Sequence, residues 1–318
     1  MKKKVLITRA VSEKELAPLY EKYDVEMNTL DRDYTYEELT EKVKGKDAVL
    51  CMLSNKIDAA LMDSEPKVKI FANYAVGYNN LHVEDGKGRG VYLSNTPGVL
   101  TDATADLAWS LLFSVARRVV PAHAFTSEGK FVGWEPKMYL GKDIYGKKLG
   151  IVGAGRIGQA FAKRSKGFDM EILYYNRTRK PEFEKETGAK YVTMEELLQE
   201  SDYVSLHTPL TQETKHLIDA DALKMMKSSA ILINTARGPV IDEKALVKAL
   251  VDGEIWGAGL DVYEQEPILE AELMKMDNVV ILPHIGSATE ETRDAMVKLA
   301  VDNIVAVLEG NEPLTNVY

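Results

Sequence analysis

Residues 148–164 read KLGIVGAGRIGQAFAKR. Leu149-Gly150-Ile151-Val152 is a short run of strand character, and Arg156 opens a helix-like segment. Between them Gly153-Ala154-Gly155-Arg156-Ile157-Gly158 supplies the spacing G-x-G-x-x-G. Glycine there allows a tight turn, lets the backbone approach a pyrophosphate and lets the helix pack on the strand, while the helix N-terminus attracts negative charge. The strand before and the helix after turn a common glycine pattern into a dinucleotide-binding one. The structural alternative is a tight turn that binds nothing.

Downstream the pattern repeats: MEILYYN, YVSLHTP, AILINTA, GAGLDVY and VVILPHI are strand-like, each preceded by a helix-like run. Upstream, VLIT, DVEMN, AVLCML, KIFANYA and VYLSN alternate with segments such as SEKELAPLYEKY and TYEELTEKVKG, as far as about Asn95. The continuous apolar character of these strands predicts burial on both faces of parallel sheets. The fold class is α/β: two doubly wound parallel-sheet domains, Rossmann and flavodoxin-like, with an active-site cleft between them. TDATADLAWSLLFSVARRVV predicts one long helix from Thr101 that bridges the two units. EETRDAMVKLAVDNIVAVLEG predicts a last helix that returns to the first unit.

Composition bounds the function. A chain of 318 residues, 45% hydrophobic and 28% charged, has ample core-forming material for two globular domains. Forty Lys and Arg against 49 Asp and Glu give a net charge of −9, which disfavours nucleic acid and anionic membranes as partners. Cys51 is the only cysteine, so no intramolecular disulfide framework or cysteine-based zinc site is expected, no metal is assigned, and the setting reads as cytoplasmic. The basic start MKKKVLITR carries too short an apolar run for a secretion signal, and Leu107–Val120 falls short of the roughly 20 residues of a membrane span.

The end of the strand after the glycine motif bears on which dinucleotide is bound. An acidic residue there would hold the ribose hydroxyls of NAD. The sequence has Asn176-Arg177-Thr178-Arg179-Lys180 instead, a neutral residue with three cations and a hydroxyl, which suits the extra 2′-phosphate of NADP. The alternative is a solvated basic turn, with NAD bound through Asn176 and the backbone.

Three polar residues follow apolar strands of the second unit: Arg237 after AILINTA, Glu266 after GAGLDVYEQ and His284 after VVILP. Ligands of open α/β sheets bind beyond the carboxyl ends of strands, where these residues can converge. Hydride transfer to a ketone makes an alkoxide that needs a proton, and histidine, with an ordinary pKa of roughly 6.5, supplies one near neutrality. A carboxylate orients the ring, and an arginine fork binds a substrate carboxylate and polarises the adjacent carbonyl. The set describes reduction of a 2-oxo acid. Taken one by one, each residue also has a structural reading: a packed histidine, a surface acid beside Glu264, a helix-entry cation.

With these residues and FANYAVGYNNL, NTPGVLTDATADLAWSLL, LGIVGAGRIGQAFAKR, YYNRTRKPE, INTARGPVIDEKAL, GAGLDVYEQEP and VVILPHIGSAT in this order, the chain resembles the D-isomer-specific 2-hydroxyacid dehydrogenase family over essentially its whole length. It is most similar to the glyoxylate/hydroxypyruvate reductase branch. The resemblance implies that His284 is the proton donor, Glu266 its partner and Arg237 the group that binds the substrate carboxylate and carbonyl. Val76 and Gly77 match a loop whose backbone N–H groups bind the substrate carboxylate, with Tyr78 alongside. Gly153, Gly155, Arg156, Ile157 and Gly158 match the phosphate loop, and Asn176, Arg177 and Thr178 the 2′-phosphate turn. Thr104, Thr208, Pro209, Thr235, Ala236, Asp261 and Gly286 match further cofactor positions, Asp261 as the residue that holds the carboxamide. The implied division is 1–99 with 287–318 as substrate domain and 100–286 as dinucleotide-binding domain. The implied assembly is a homodimer through the cofactor domain, in which the loop at 131–136 reaches the neighbouring subunit and Trp134 shapes its substrate site. His82 and Trp109 depart from the family's usual residues.

The implied activity is reduction of glyoxylate or hydroxypyruvate, hydride coming from NADP, the favoured cofactor, or NAD. The same three reacting residues suit a 2-ketogluconate, D-lactate or phosphoglycerate dehydrogenase. The fold also serves as a dinucleotide-sensing corepressor, for which extra tails or an exposed apolar groove are expected. Formate oxidation fits poorly, because formate has no hydroxyl proton for His284 to accept.

Overall fold

The computed structural model describes residues 2–318. Packing divides the chain into two compact units, one formed by residues up to Leu100 together with Ser287–Tyr318, the other by Thr101–Gly286.

The first unit holds β1 (Lys4–Ile7), β2 (Asp24–Met27), β3 (Ala48–Cys51), β4 (Ile70–Asn73) and β5 (Tyr92–Ser94), all parallel in the order β2-β1-β3-β4-β5. Every residue of β3 and β4 is buried, as two-faced burial of a parallel sheet requires. The short helices α1 (Ala17–Lys22), α2 (Tyr36–Lys42), α3 (Ala59–Ser64) and α4 (Val83–Arg89) connect these strands. The last helix of the chain, α12 (Glu290–Leu308), packs on β3 and β4, and its Val297, Val301 and Ile304 join Val5, Ile7, Leu50 and Ile70 in one core.

The second unit carries β6 (Lys148–Val152), β7 (Glu171–Tyr175), β8 (Lys190–Tyr191), β9 (Tyr203–Leu206), β10 (Ile231–Asn234), β11 (Gly257–Leu260) and β12 (Val279–Ile281). Their order is β12-β11-β10-β9-β6-β7-β8, again parallel throughout. The chain winds outward first one way and then the other from β6, so the topology reverses between β6 and β9, which is where open sheets of this kind bind ligands. The helices are α5 (Thr101–Ala116), α6 (Val119–Ser127), α7 (Arg156–Arg164), α8 (Pro181–Thr187), α9 (Met194–Glu200), α10 (Ala220–Met225) and α11 (Glu243–Asp252). Trp109 on α5 is buried; it donates to the Phe161 carbonyl at 2.9 Å and stacks on Phe161 and Phe168. Its role is to pack α5 on α7.

Three sequence expectations are corrected. The long helix from Thr101 ends at Ala116, because Arg118 turns into the left-handed region (φ 53°) and Lys142 N–H takes the Ala116 carbonyl at 2.8 Å. That helix belongs to the second unit, where it packs on α7, β10, β11 and β12. The segment SEKELAPLYEKY is a 3-10 turn at Glu13–Glu15 followed by α1, with Pro18 in the first turn, where its missing N–H costs no hydrogen bond. The two-residue edge strand β8 was not foreseen; both of its residues are exposed and give no apolar signal. Among the described residues no helix is long and apolar enough to cross a membrane.

Asp58 caps α3: its carboxylate accepts the Leu61 N–H at 3.1 Å and the Tyr36 hydroxyl at 2.5 Å, and pairs with Lys56 at 2.7 Å. Burial alone would raise its pKa, but these partners outweigh burial and hold it at about 2, below the ordinary 3.8. The stabilisation is therefore fully present above pH 3.8 and lost as pH falls through about 2. Asp58→Asn is expected to destabilise the protein at pH 7. In urea melts the gap to the wild type should close between pH 4 and 2; a gap constant with pH would refute the role of the ionised carboxylate.

Candidate active site

At the reversal point the glycine motif leaves β6. Gly153 has φ +97°, and a Cβ on it would lie 2.8 Å from the His207 carbonyl carbon beyond β9. A Cβ on Gly158 would overlap the Gly153 carbonyl, so α7 can seat on the turn only with glycine there. Gly155 has open space around it, and α7 starts without a side-chain cap. Its first N–H groups thus face outward beside a bare glycine, with Arg156 exposed and Ile157 half-buried. Thr208 Oγ1 and Thr235 Oγ1, at the ends of β9 and β10, are buried and have no hydrogen-bond partner. An uncapped helix start, a turn with no room for a side chain at Gly153 or Gly158 and two orphaned hydroxyls together fit a bound dinucleotide.

His207 lies beneath this loop. Burial pushes its pKa down to about 3, so the ring is neutral at physiological pH, hydrogen-bonded to the Ser205 hydroxyl at 2.9 Å and packed on Phe161. Its neighbour Pro209 is exposed, and its carbonyl accepts the Thr214 hydroxyl at 2.6 Å.

The turn after β7 differs in detail from a simple cation cluster. Asn176 Oδ1 accepts the Ala154 N–H at 3.1 Å and its Nδ2 donates to the Thr178 carbonyl at 2.7 Å, so this side chain ties the phosphate loop to the turn. Arg179 is paired twice with Glu184, each contact 2.8 Å, and Glu184 also accepts from Tyr174 at 2.6 Å. Arg177 and Thr178 extend into solvent.

Arg237, Glu266 and His284 follow the ends of β10, β11 and β12. His284 Nδ1 lies 2.8 Å from Glu266 Oε2, both side chains half-buried, and Glu266 Oε1 accepts the Tyr263 N–H at 3.2 Å. Burial alone would raise the Glu266 pKa, but the hydrogen bond and charge of His284, the Tyr263 N–H and the charge of Arg237 together lower it. Burial pushes the Arg237 guanidinium below its ordinary pKa while Glu266 opposes the shift, and its Nη1 donates to the Ala236 carbonyl at 2.7 Å. His284 sits at φ 54°, a backbone region few residues other than glycine adopt. Asp261, 1% exposed, accepts the N–H groups of Ile285 at 2.7 Å and Gly286 at 2.8 Å and holds that turn in place. Burial raises the Asp261 pKa against these two bonds and the positive field of His284. A Cβ on Gly286 would sit 3.2 Å from Asp261 and 3.4 Å from Thr104, so these three form one close-packed corner.

The structure thus gathers the glycine motif, Asn176 and Thr208 at the reversal point, and Thr104, Asp261 and Gly286 beside His284, Glu266 and Arg237. Val76, Gly77 and Tyr78 lie in the first unit on the loop that leaves β4, with Tyr78 43% exposed. Trp134 is 82% exposed.

Four supporting residues escaped the sequence reading. Asn234, fully buried, accepts the Ala236 N–H at 2.9 Å and donates to the Arg237 carbonyl at 3.0 Å, shaping the Arg237 turn; an Asn at a strand end was the available signal. Gly238 packs so closely that a Cβ would overlap the Tyr263 carbonyl. Glu243 accepts the N–H groups of Glu264 at 2.8 Å and Glu270 at 2.7 Å, fixing both ends of the loop that carries Glu266. Glu264 returns the contact, accepting the Glu243 N–H at 3.2 Å, and pairs with His216 at 2.7 Å.

Comparison with known proteins shows the family to which the chain belongs. The family profile described as D-isomer specific 2-hydroxyacid dehydrogenase, NAD binding domain, matches residues 109–286. A glyoxylate reductase of Thermococcus litoralis is 53% identical over 317 residues, spanning 98% of this chain and 96% of that protein. Among solved structures, a protein of Thermus thermophilus superposes with a TM-score of 0.93 at 44% identity, over 99% of this chain and 100% of that one. An NADPH-dependent glyoxylate/hydroxypyruvate reductase of Sinorhizobium meliloti, solved with NADP and malonate, superposes with a TM-score of 0.89 at 33% identity, over 100% of this chain and 97% of that one.

The Gly238 contact yields a test. Gly238→Ala forces the Arg237 turn away from the Glu266 loop, an overpacking expected to cost about 1–3 kcal/mol in urea unfolding. It should also remove most 2-oxo acid turnover. A variant of wild-type stability and activity would show that the two loops need no such close approach.

Proposed function

From its membership of the D-isomer-specific 2-hydroxyacid dehydrogenase family, a family of dinucleotide-dependent oxidoreductases, we propose that this chain reduces glyoxylate or hydroxypyruvate to the corresponding D-2-hydroxy acid. The observation that carries the reading is the 2.8 Å His284–Glu266 pair within the field of Arg237, at the strand ends of a sheet built to hold a dinucleotide. The names of the Thermococcus and Sinorhizobium relatives point to the same substrates.

The bound dinucleotide would supply the hydride. The chain's own groups do the rest. Glu266 accepts the Nδ1–H of His284, which fixes the tautomer and directs Nε2 toward the substrate oxygen. As charge develops on that oxygen, His284 delivers the proton from Nε2, and the ionised Glu266 stabilises the imidazolium from which it comes. Arg237 pairs with the substrate carboxylate and polarises the adjacent carbonyl. Val76 and Gly77 offer backbone N–H groups to that carboxylate, with Tyr78 beside them. Gly153, Gly155 and Gly158 with the N–H groups at Arg156 and Ile157 hold the pyrophosphate. Thr208 and Thr235 hydroxyls, Pro209, Ala236, Thr104, Gly286 and Asp261 line the remaining cofactor positions.

NADP is the favoured cofactor, on the support of Arg177 and Thr178, exposed where an acid would be needed for NAD. Reduction is then the physiological direction. The proposed division of labour gives the first unit to substrate and the second to the dinucleotide. A homodimer is the proposed assembly: Phe131, Val132, Trp134, Leu140 and Tyr145 are exposed apolar residues of the second unit, which a subunit interface would cover and which would bring Trp134 to a neighbour's substrate. The single free cysteine, buried Cys51, fits a reducing cytoplasm.

Initial rates with NADPH and NADH on glyoxylate, hydroxypyruvate, pyruvate and 2-ketogluconate test the proposal directly. NADPH with glyoxylate or hydroxypyruvate should give the highest kcat/KM. Silence on all four would reject it and return the dinucleotide-sensing reading. His284→Ala should lower kcat by at least about a hundredfold, in line with loss of general acid catalysis, with NADPH affinity kept. Arg237→Ala should raise KM as well, and full activity of His284→Ala would exclude it as proton donor. Asn176→Asp keeps an acceptor for the Ala154 N–H and places a charge beside the 2′-phosphate, so the ratio of NADPH to NADH kcat/KM should fall. An unchanged ratio would take that turn out of cofactor selection.

A further inference from the structure

The loop after β4 leaves the sheet with three consecutive backbone carbonyls tied back into the first unit. Thr96 N–H donates to the Ala75 carbonyl at 2.9 Å, Asn95 Nδ2 to the Val76 carbonyl at 2.7 Å, and Asn73 Nδ2 to the Gly77 carbonyl at 3.0 Å. In a planar trans peptide the N–H of the next residue points opposite to the carbonyl. Holding those three carbonyls therefore turns the N–H groups of Val76, Gly77 and Tyr78 away from the body of the unit. Among the described residues these three N–H groups have no partner within the chain. Successive outward N–H groups form an anion-binding concavity.

The two asparagines are themselves fixed. Asn80 Nδ2 donates to the Met52 and Asn55 carbonyls at 3.2 and 3.0 Å, which identifies its nitrogen end. The same nitrogen meets Asn73 Oδ1 at 3.1 Å, so the Asn73 amide must present its own nitrogen to Gly77. Asn73 is fully buried. Asn95 is braced from the far end of the chain: its carbonyl accepts the Thr315 hydroxyl at 2.6 Å, and Thr315 exchanges bonds of 2.9 and 3.0 Å with the buried Asn303 of α12. Neither asparagine needs this arrangement to close a strand or cap a helix.

We propose that Asn73 and Asn95 are positioning residues for the substrate carboxylate: by gripping the Gly77 and Val76 carbonyls they aim the N–H groups of the loop at the anion. The proposal rests on the reading of the chain as a 2-oxo acid reductase. It adds two residues to the recognition of the carboxylate and explains why the loop offers N–H groups rather than carbonyls.

Asn95→Leu keeps the shape and charge of the side chain and removes the donor to Val76. Steady-state rates with glyoxylate and NADPH should show KM raised about tenfold, the order of one lost hydrogen bond to a charged group, with kcat within about threefold and NADPH affinity by fluorescence titration unchanged. A wild-type KM in a variant that melts like the wild type overturns the positioning role, as does a rise in NADPH Kd that accounts for the KM. If Asn95→Leu does not fold, Asn95→Ser, too short to reach the Val76 carbonyl, carries the same expectation. The wild-type control separates the two levels. Absence of any 2-oxo acid turnover there removes the reading on which the proposal rests, whereas wild-type turnover with an unchanged variant KM removes the proposal alone.

Discussion

The turn that carries His284 depends on one buried carboxylate. Asp261 follows β11 and accepts two successive N–H groups, Ile285 and Gly286, from the chain leaving β12. Those bonds hold His284 at a positive φ, a conformation with a cost of about 1–3 kcal/mol that persists only where the surroundings over-determine it. Without them the turn could relax, and the imidazole would no longer face Glu266. Parallel topology makes this economical. All strands of the sheet end on the same side, so the residues after β10, β11 and β12 meet without a long loop having to find its place.

The second constraint is mutual registration of two loops. The Arg237 turn and the Glu266 loop touch through Gly238 and Tyr263 with no room for a side chain, while Glu243 and Glu264 each accept the other's backbone N–H. This clamp also distinguishes two pairs that look alike in composition. His284–Glu266 and His216–Glu264 have similar separations, 2.8 and 2.7 Å. Glu264 accepts the Glu243 N–H, so His216 is tied to the clamp. Glu266 accepts the Tyr263 N–H instead and lies in the field of the Arg237 guanidinium.

Much of this was legible in the sequence, for identifiable reasons. Two-faced burial makes parallel strands nearly continuous apolar runs, so β3, β4, β6, β9 and β10 stood out without an alignment. The glycine motif is equally local, because the turn, the backbone approach and the helix seat all lie within residues 153–158. What could not be read depends on partners distant in the chain. The end of α5 at Ala116 is decided by Lys142 taking its carbonyl, and nothing in residues 101–120 announces that competition. Glu243, next to the α11 cap Asp242, reads as an ordinary acid of a first helical turn, yet its carboxylate holds residues 264 and 270. Asn73 and Asn95 read as strand-end polar residues until the carbonyls they grip are known.

The turn after β7 shows how side-chain commitments narrow a compositional reading. Three cations there suggest a diffuse attraction for a 2′-phosphate, but Arg179 is already in a bidentate pair with Glu184, a carboxylate that Arg179 and Tyr174 hold at a pKa of about 2. Breaking that pair to bind phosphate would exchange one anion for another with little gain. Asn176 is engaged on both sides of its amide. The discriminating groups are therefore reduced to Arg177, Thr178 and Lys180, of which Arg177 and Thr178 extend into solvent. The Glu213 pKa is lowered first by the Thr211 hydroxyl and its own backbone, and further by the charge of Arg177. A dianionic phosphate beside Arg177 would have to compete with that carboxylate, whereas the ribose hydroxyls of NAD would not. On the proposed NADP reading, discrimination thus rests on Arg177, Thr178 and Lys180, with Glu213 screening the arginine, rather than on three free cations.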